Sequence, residues 1–497
     1  MTLKNRQKLT NYIYAPNIHL FAFHLRHGSN LDESKQLWHQ CDQIFQKLEI
    51  RESSNTYLQL SKYLDLERQP YLRRTELLKN NQTSLSFTSQ VVIDNSALIT
   101  KGFAYPVRIG DSYGLWLNIR CPERDENNQP TEDVEIKFFG ALNPDNCLIF
   151  KNSPYFLGQT ILVTAWLNLE HKQQQNQNQK FLKSLADQCL NSLIAEPAIR
   201  PSLYRQSELF GSPIFEYGLV TQTTNYCHII VWLFRQPETD KKFNFCYQQL
   251  LDLFLYRNKI IKAFHNRLYV YQKLEKKYEA IEKMIDEIEA HNTGIELEAT
   301  ELKQFKIQLK AMPKLAIEYT RWLRLLEDYR NTIEINAHNY EEKIEQIRIN
   351  TSEENLTFLE HFIQKNCVTF QEQITGDLNY FIPGTGLLDQ AIASIRGIVE
   401  IDQAERDRQN QEAAQLERNR REKADNELQI EIAASGLAIA TGALVASSSG
   451  LMTQKWEWPG SPKSTGYPHP FLISLFLSLI LALCTYGLTK RLRHLIK

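Results

Sequence analysis

Apolar positions along this 497-residue chain follow three different patterns. In the first part they alternate with polar ones. From about Ser84 to Leu169, "SLSFTSQVVI", "SYGLWLNIRC", "EDVEIKFFGAL" and "TILVTAWLNL" repeat with a period of two between Gly, Asp, Asn and Pro, which predicts sheet strands joined by loops. "IHLFAFHLRHG" before them, and "SPIFEYGLV" and "CHIIVWLFR" after them, read as further strands. An amphipathic helix is predicted through "DESKQLWHQCDQIFQKLEI", with Asn30 and Asp32 as capping candidates, and "EHKQQQNQNQK" reads as an exposed polar loop. Residues 1–240 therefore predict one mixed domain of α+β or α/β layers.

From about Phe243 the spacing becomes helical. Phe264, Leu268, Tyr271, Leu274, Tyr278, Ile281, Ile285 and Ile288 recur every three or four residues with Lys and Glu between them, the pattern of a coiled-coil seam. "AHNTG" breaks it, with Gly294 as a C-cap residue, and a second seam runs from Leu302 through Phe305, Tyr319, Leu326 and Tyr340 to Ile347, with a kink expected at Pro313. The short break predicts an antiparallel long-helix pair over 241–350. Thr351 with Glu354 forms a capping box that opens a connecting helix over 351–386, ended by "IPGTG". Leu387 to Gly450 lacks proline, so one helix of about 60 residues and about 90 Å is expected. Within its stalk, 387–431, the stretch "EIDQAERDRQNQEAAQLERNRREKADNE" is nearly devoid of large apolar residues, and such a helix needs company or charge pairs to persist.

The third pattern is purely apolar. Ile432 to Met452 and Phe471 to Leu488 carry no charge over 21 and 18 residues, close to the roughly 20 that cross a bilayer as helix. A two-helix transmembrane hairpin is predicted: a first span 432–452, an outer loop 453–470, a second span 471–488 and a basic tail 489–497. Arg418, Arg420, Arg421 and Lys423 precede the first span, and Lys490, Arg491, Arg493 and Lys497 follow the second, so both termini are expected in the cytoplasm of an integral protein of the inner or plasma membrane. Trp456, Trp458 and Tyr467 sit where an interfacial aromatic belt belongs. The first span is rich in Ala, Gly and Ser and the second in Leu and Phe, which suggests several copies packed about an axis with the first span central.

Composition narrows the function. Lys plus Arg (57) nearly cancel Asp plus Glu (58), so nothing global points to a nucleic-acid partner. Eight scattered cysteines without a paired short spacing read as reduced thiols, and "MTLKNRQKLTNYIYAPN" lacks the apolar stretch of a signal peptide, so the N-terminus is expected to stay inside. Asp133, Glu135 and Lys137 share the spacing of a metal-dependent nuclease strand, but alternating charge on a solvent face is the commoner use. His24 and His27 would point to opposite faces of a strand. No phosphate-loop, nucleophile-elbow or zinc-protease motif occurs, and the chain is not expected to be an enzyme.

The layout over roughly residues 240–497 resembles the CorA-type divalent-cation transporter family: a long antiparallel helix pair, a stalk helix entering the first span, a short outer loop, a second span and a basic tail. The stretch "TGYPHPFLISLFLSLILALCTYGLTKRLRHLIK" looks like that family's ending. Where the family carries Gly-Met-Asn, this chain has Gly450-Leu451-Met452-Thr453, and the loop to Pro470 contains no asparagine. The resemblance implies a homopentamer in a lipid bilayer, the first span lining the axis, with Mg2+ or another divalent cation bound between cytoplasmic domains to control opening.

Helical spacing puts Glu431, Ser435, Ala438, Gly442, Ser449 and Met452 on one face, with Gly450 beside them, as the candidate pore lining. Ala434, Thr441 and Ser448 form an alternative face. A ring of Glu431 carboxylates would favour cations, whereas Ser and Thr at these places can equally satisfy backbone carbonyls. Glu400, Asp402 and Glu405 on the stalk are candidate divalent-ion ligands, solvated charge being the plain alternative. The expected function is an oligomeric CorA-like channel or transporter for divalent cations gated by its cytoplasmic domain. Alternatives are a CorA-like membrane effector of type III CRISPR-type antiviral defence, triggered by a nucleotide ligand, and a membrane-anchored scaffold without a pore.

Overall fold

The central element is a long first strand, β1 (Tyr12–Leu25), whose side chains are buried on both sides. The computed structural model describes residues 12–26, 35–68, 72–93, 96–151, 153–167, 179–223, 226–291, 299–352, 354–448 and 470–496. The other strands are β2 (Arg74–Glu76), β3 (Leu85–Ile93), β4 (Ser96–Ile109), β5 (Ser112–Arg120), β6 (Val134–Glu135), β7 (Phe156–Trp166), β8 (Leu203–Leu209), β9 (Ser212–Tyr217) and β10 (His228–Phe234). They form one sheet in the order β2-β4-β5-β1-β7-β10-β9-β8, with β3 paired to β4 and β6 to β1. The β7–β10 ladder is parallel and includes the helix α3 (Gln179–Leu193) in its crossover; β1 pairs antiparallel with both β5 and β7.

The period of two divides each strand between two cores. Ile18, Leu20 and Ala22 of β1 join a cluster with Trp38 and Phe45 of α1 (Gln36–Lys47) and with Leu185 and Cys189 of α3. Phe21 and Phe23 face the opposite way, onto Leu251 and Phe254 of α5 (Tyr247–His291) and Phe243 of α4 (Pro237–Phe245). The mixed α/β class expected for this region is present.

Two units emerge, Met1–Glu296 with Lys310–Ile392, and Leu297–Leu309 with Ala393–Lys497. In the first, α5 packs against α6 (Ala299–Asn350) in opposite directions: Asp252 pairs with Lys343 at 3.3 Å, Tyr269 meets Trp322 edge-on at 5.9 Å, and Lys277 pairs with Glu318. The expected antiparallel seam is thus present, and α6 continues through Pro313 as one helix. In the second unit Leu302, Phe305 and Ile395 are buried, while residues 403–433 of α9 (Pro383–Ser448) are exposed and carry i,i+4 ion pairs, among them Arg421–Glu417 at 3.1 Å.

Several expectations need correction. "EDVEIKFFGAL" yields only the two-residue β6, followed by a helical turn α2 (Phe138–Ala141). The reason is that Phe138 and Phe139 are both fully buried, and a strand would send adjacent side chains to opposite faces. β2, β4 and β8 match no predicted strand; β4 contains Gly102 and Pro106, which weaken a strand pattern. Thr351 is no N-cap: its hydroxyl donates back to the Ile347 carbonyl at 2.8 Å, and Asn355 Oδ1 instead accepts from the Thr357 backbone N–H at 3.0 Å. Leu356 is the N-cap of α7 (Thr357–His361), which passes through a π-turn, Phe362–Cys367, into α8 (Val368–Phe381). "IPGTG" does not hold α9 off until Leu387; Pro383 begins it, one residue after α8 ends. Proline fits a first helical turn because its missing N–H is not needed there. Tyr319 Oη donates to the Phe381 carbonyl at 2.5 Å across this join, and a Cβ on Gly384 would collide with Tyr319 Oη. The caps Asn30 and Asp32, His27, Gly294 and most of "EHKQQQNQNQK" lie outside the described residues.

Gly158 shows why the sheet and α5 fit together. Its φ is +138° and a Cβ there would come 2.3 Å from Asn258 Oδ1, at the point where the β1–β7 register shifts. Gly158→Ala is expected to lower stability by about 1–3 kcal/mol. Gly376→Ala, in α8 with open space around it, should raise stability by up to about 1 kcal/mol. Urea denaturation followed through the fluorescence of the buried Trp116 and Trp232 reads both.

Candidate functional site

The C-terminal apolar run forms α10 (Pro470–Ile496), which extends beyond the expected 471–488 at both ends. Its segment Leu472–Arg491 has 20 residues, a mean hydropathy of 2.1 and only 11% buried, so one described helix is long and apolar enough to cross a membrane. Phe476, Leu479 and Leu483 stand exposed at 60–68%. The first apolar run supplies residues 432–448 to α9; Ser449, Gly450, Met452 and the loop 453–469, with its aromatic belt, lie outside the described residues.

Small side chains decide how these helices meet. On α10, Ser474 and Ser478 are buried four residues apart, and a Cβ on Gly442 of α9 would touch Ala482 at 3.4 Å and the Ser478 carbonyl at 3.7 Å. Ala438 is buried, and Ala434, Ser435, Thr441 and Gly442 are half-buried around it. The face expected to line an axis is therefore turned to α10, the close approach that small residues allow. The Thr441 hydroxyl donates to the Leu437 carbonyl at 2.7 Å and so serves its own helix. Glu431 is exposed, and the side chain of Ser448 is not described.

The stalk acids do not converge. Asp402 takes Arg406 at 3.2 Å and approaches Lys306 at 3.9 Å, Glu400 and Glu405 are exposed, and among the described residues no three His, Cys, Asp or Glu side chains gather as a metal site. Among the other pairs, Glu135 is bonded to Lys137 at 2.7 Å. Seven of the eight cysteines are buried or half-buried, and all are free thiols.

A group that sequence reading missed lies between the sheet and α5. Glu216 of β9, 2% exposed, takes Arg257 at 2.6 Å, Arg205 at 3.2 Å and His228 Nε2 at 3.2 Å. Asn258 Nδ2 donates to Thr160 Oγ1 at 3.2 Å, and Thr160 lies 2.9 Å from His228 Nδ1. One proton arrangement satisfies this chain: a neutral His228 accepting at Nδ1 and donating from Nε2 to the carboxylate. Burial pushes the Glu216 carboxyl up, but Arg257, His228 and Arg205 outweigh it and hold it at about 2. Burial, then Arg257, push His228 down to about 4 against the pull of Glu216. The guanidinium of Arg257 stacks 4.2 Å over Phe362 and that of Arg205 4.6 Å over Phe358, so the cluster ties the sheet to the π-turn segment. Its members come from distant stretches and no spacing in the chain announces them.

Together these features define a mixed α/β protein with long helices and one apolar helix of membrane length. No family model matches the chain, and no curated protein matches it. A solved structure described as "structure of the full-length CmaX protein" is similar at 13% identity over 69% of this chain and 91% of that one, with a TM-score of 0.21, too low to bear on the fold.

Glu216→Gln would leave the buried Arg257 and half-buried Arg205 guanidinium groups facing a neutral amide and is expected to cost about 3–5 kcal/mol in urea denaturation. Acid should act in the same direction. Both groups have folded-state pKa values below their ordinary ones, so the unfolded chain binds more protons and stability is lost as the pH is lowered. The decline belongs to the window from about 6.5 to about 4 for His228 and from about 4.5 to about 2 for Glu216. His228→Gln should flatten the upper part without abolishing it, because burial also pushes His19 down, to about 3.

Proposed function

We propose that the chain is an oligomeric membrane channel or transporter for cations, in which the end of α9 and α10 form a two-helix membrane hairpin and the α/β unit controls opening. One observation carries the reading: a charge-laced helix turns apolar at Ile432 and continues unbroken to Ser448, beside a second helix whose bulky apolar residues are exposed. Apolar surface of that extent is stable in lipid and unfavourable in water. Lys and Arg flanking both apolar runs support cytoplasmic termini.

The packing on α10 also changes which face of α9 would look toward an axis. At 100° per residue, Ala433, Gly436, Ala440, Ala443 and Ser447 form a stripe opposite Ala438, with spacings of three, four, three and four, and all five are exposed. By the same spacing Glu431 falls on the α10 side. Copies of the chain packed through this small-residue stripe would bring backbones close, as helices in lipid do. Homopentamer assembly and a divalent ion are what the CorA-like layout suggests. The absence of the Gly-Met-Asn signature at Gly450-Leu451-Met452-Thr453 favours, as a second reading, a membrane effector opened by a nucleotide.

Purified protein in detergent is expected to sediment as an oligomer and, in liposomes, to pass Mg2+ or monovalent cations. Gly436→Leu and Ala440→Leu should cut flux at least tenfold, while Leu479→Ile, on the exposed face of α10, leaves it within twofold. An assembled oligomer that passes no ion, with or without nucleotides, would leave only the scaffold; a protein that stays monomeric and soluble without detergent defeats the membrane reading altogether.

A further inference from the structure

A cavity of about 500 Å³ opens in the α/β unit where the start of β7 meets α5. That volume lies within the range of small-molecule sites. Its lining includes Lys151, Lys262, His265, Tyr226 and Phe156, and among the described residues no carboxylate is part of it. A neighbouring cavity of about 460 Å³ shares Leu157, Lys262 and Asn266 but contains Asp111, which pairs with Lys259. Charge thus separates the two spaces, and only the first is uniformly cationic.

The polar groups of the first cavity are held in place. Gln159 accepts from the Phe150 N–H at 2.8 Å and donates to the Leu148 carbonyl at 2.9 Å, and Asn258 is bonded to Thr160. His265 Nε2 donates to the Val220 carbonyl at 2.8 Å, so its Nδ1 is an acceptor in the neutral ring, which burial favours. Tyr226 meets His265 edge-on at 5.5 Å, and its hydroxyl is buried beside Arg257 without a hydrogen bond of ordinary geometry. Phe150 and Phe156 lie tilted against each other at 5.9 Å on the β7 side. The Lys262 ammonium donates to the Ser153 carbonyl at 3.3 Å, and burial depresses its pKa, which an anion would offset.

We propose that this cavity binds a small aromatic anion of nucleotide size, its flat ring between the aromatic walls and its negative group on Lys262 and Lys151. Flat rings recover dispersion and edge-to-face contacts against such walls. Phosphate or carboxylate on a lysine in a partly dry site gains more than it would in water. The site belongs to the α/β unit and does not depend on whether α9 and α10 enter a membrane.

Isothermal titration of the full-length protein in detergent with the four ribonucleoside monophosphates, adenosine and inorganic phosphate tests this. At least one monophosphate should bind at micromolar to sub-millimolar concentration, at least tenfold more tightly than adenosine or phosphate alone. Lys262→Gln should weaken it tenfold or more, and Lys151→Gln, at an exposed position, by threefold or more. Lys180→Gln, exposed on α3, should leave binding within twofold. No heat with any monophosphate, binding of adenosine as tight as that of its phosphate, or indifference to both lining variants would each overturn the proposal. Thermal melts of the variants separate lost binding from lost folding.

Discussion

The carboxylate of Glu216 sets the register between the sheet and the longest helix packed on it. A buried negative charge demands nearby cations, and Arg257 answers it from α5. The next residue, Asn258, reaches in the same direction to Thr160 and lies against Gly158, where no Cβ intervenes. Two adjacent positions on one helix are therefore docked on two strands, β9 and β7. A helix held at both cannot slide by a turn without stranding a charge and colliding with a strand. The partner helix α6 inherits this register through Asp252–Lys343 and Lys277–Glu318, and the π-turn through the stacking of Arg257 on Phe362.

In the second unit a different constraint rules. From residue 403 onward the stalk of α9 has almost no apolar surface to bury, and it is laced with ion pairs four residues apart, each worth only a few tenths of a kcal/mol. At Ile432 that logic ends. Small residues meet small residues between α9 and α10, while Leu and Phe stay outside. Such an arrangement is stable where the surroundings are themselves apolar.

Both units keep their charge in pairs, but with different consequences. Around Glu216 the pairs are dry and geometrically unique, so they specify one arrangement and make it sensitive to acid. Along the stalk they are wet, interchangeable and screened by salt. The cationic cavity beside Tyr226 borders the dry set, since the Tyr226 hydroxyl lies next to Arg257.

Patterning within single segments was readable from the chain alone, because period and composition are local. Alternation in "TILVTAWLNL" and "CHIIVWLFR" marks β7 and β10, the Phe264–Ile288 seam marks α5, and the apolar run marks α10. What needs the third dimension was not readable. The strand β6 stops at Glu135 because Phe138 and Phe139 must both be buried, and Thr351 serves the helix before it, not the one after. The stripe on α9 reads equally well on either face until Gly442 is seen against Ala482. Glu216, His228 and Arg257 look like ordinary scattered charges until folding removes their water, for desolvation depends on what surrounds a side chain and not on its neighbours in the chain.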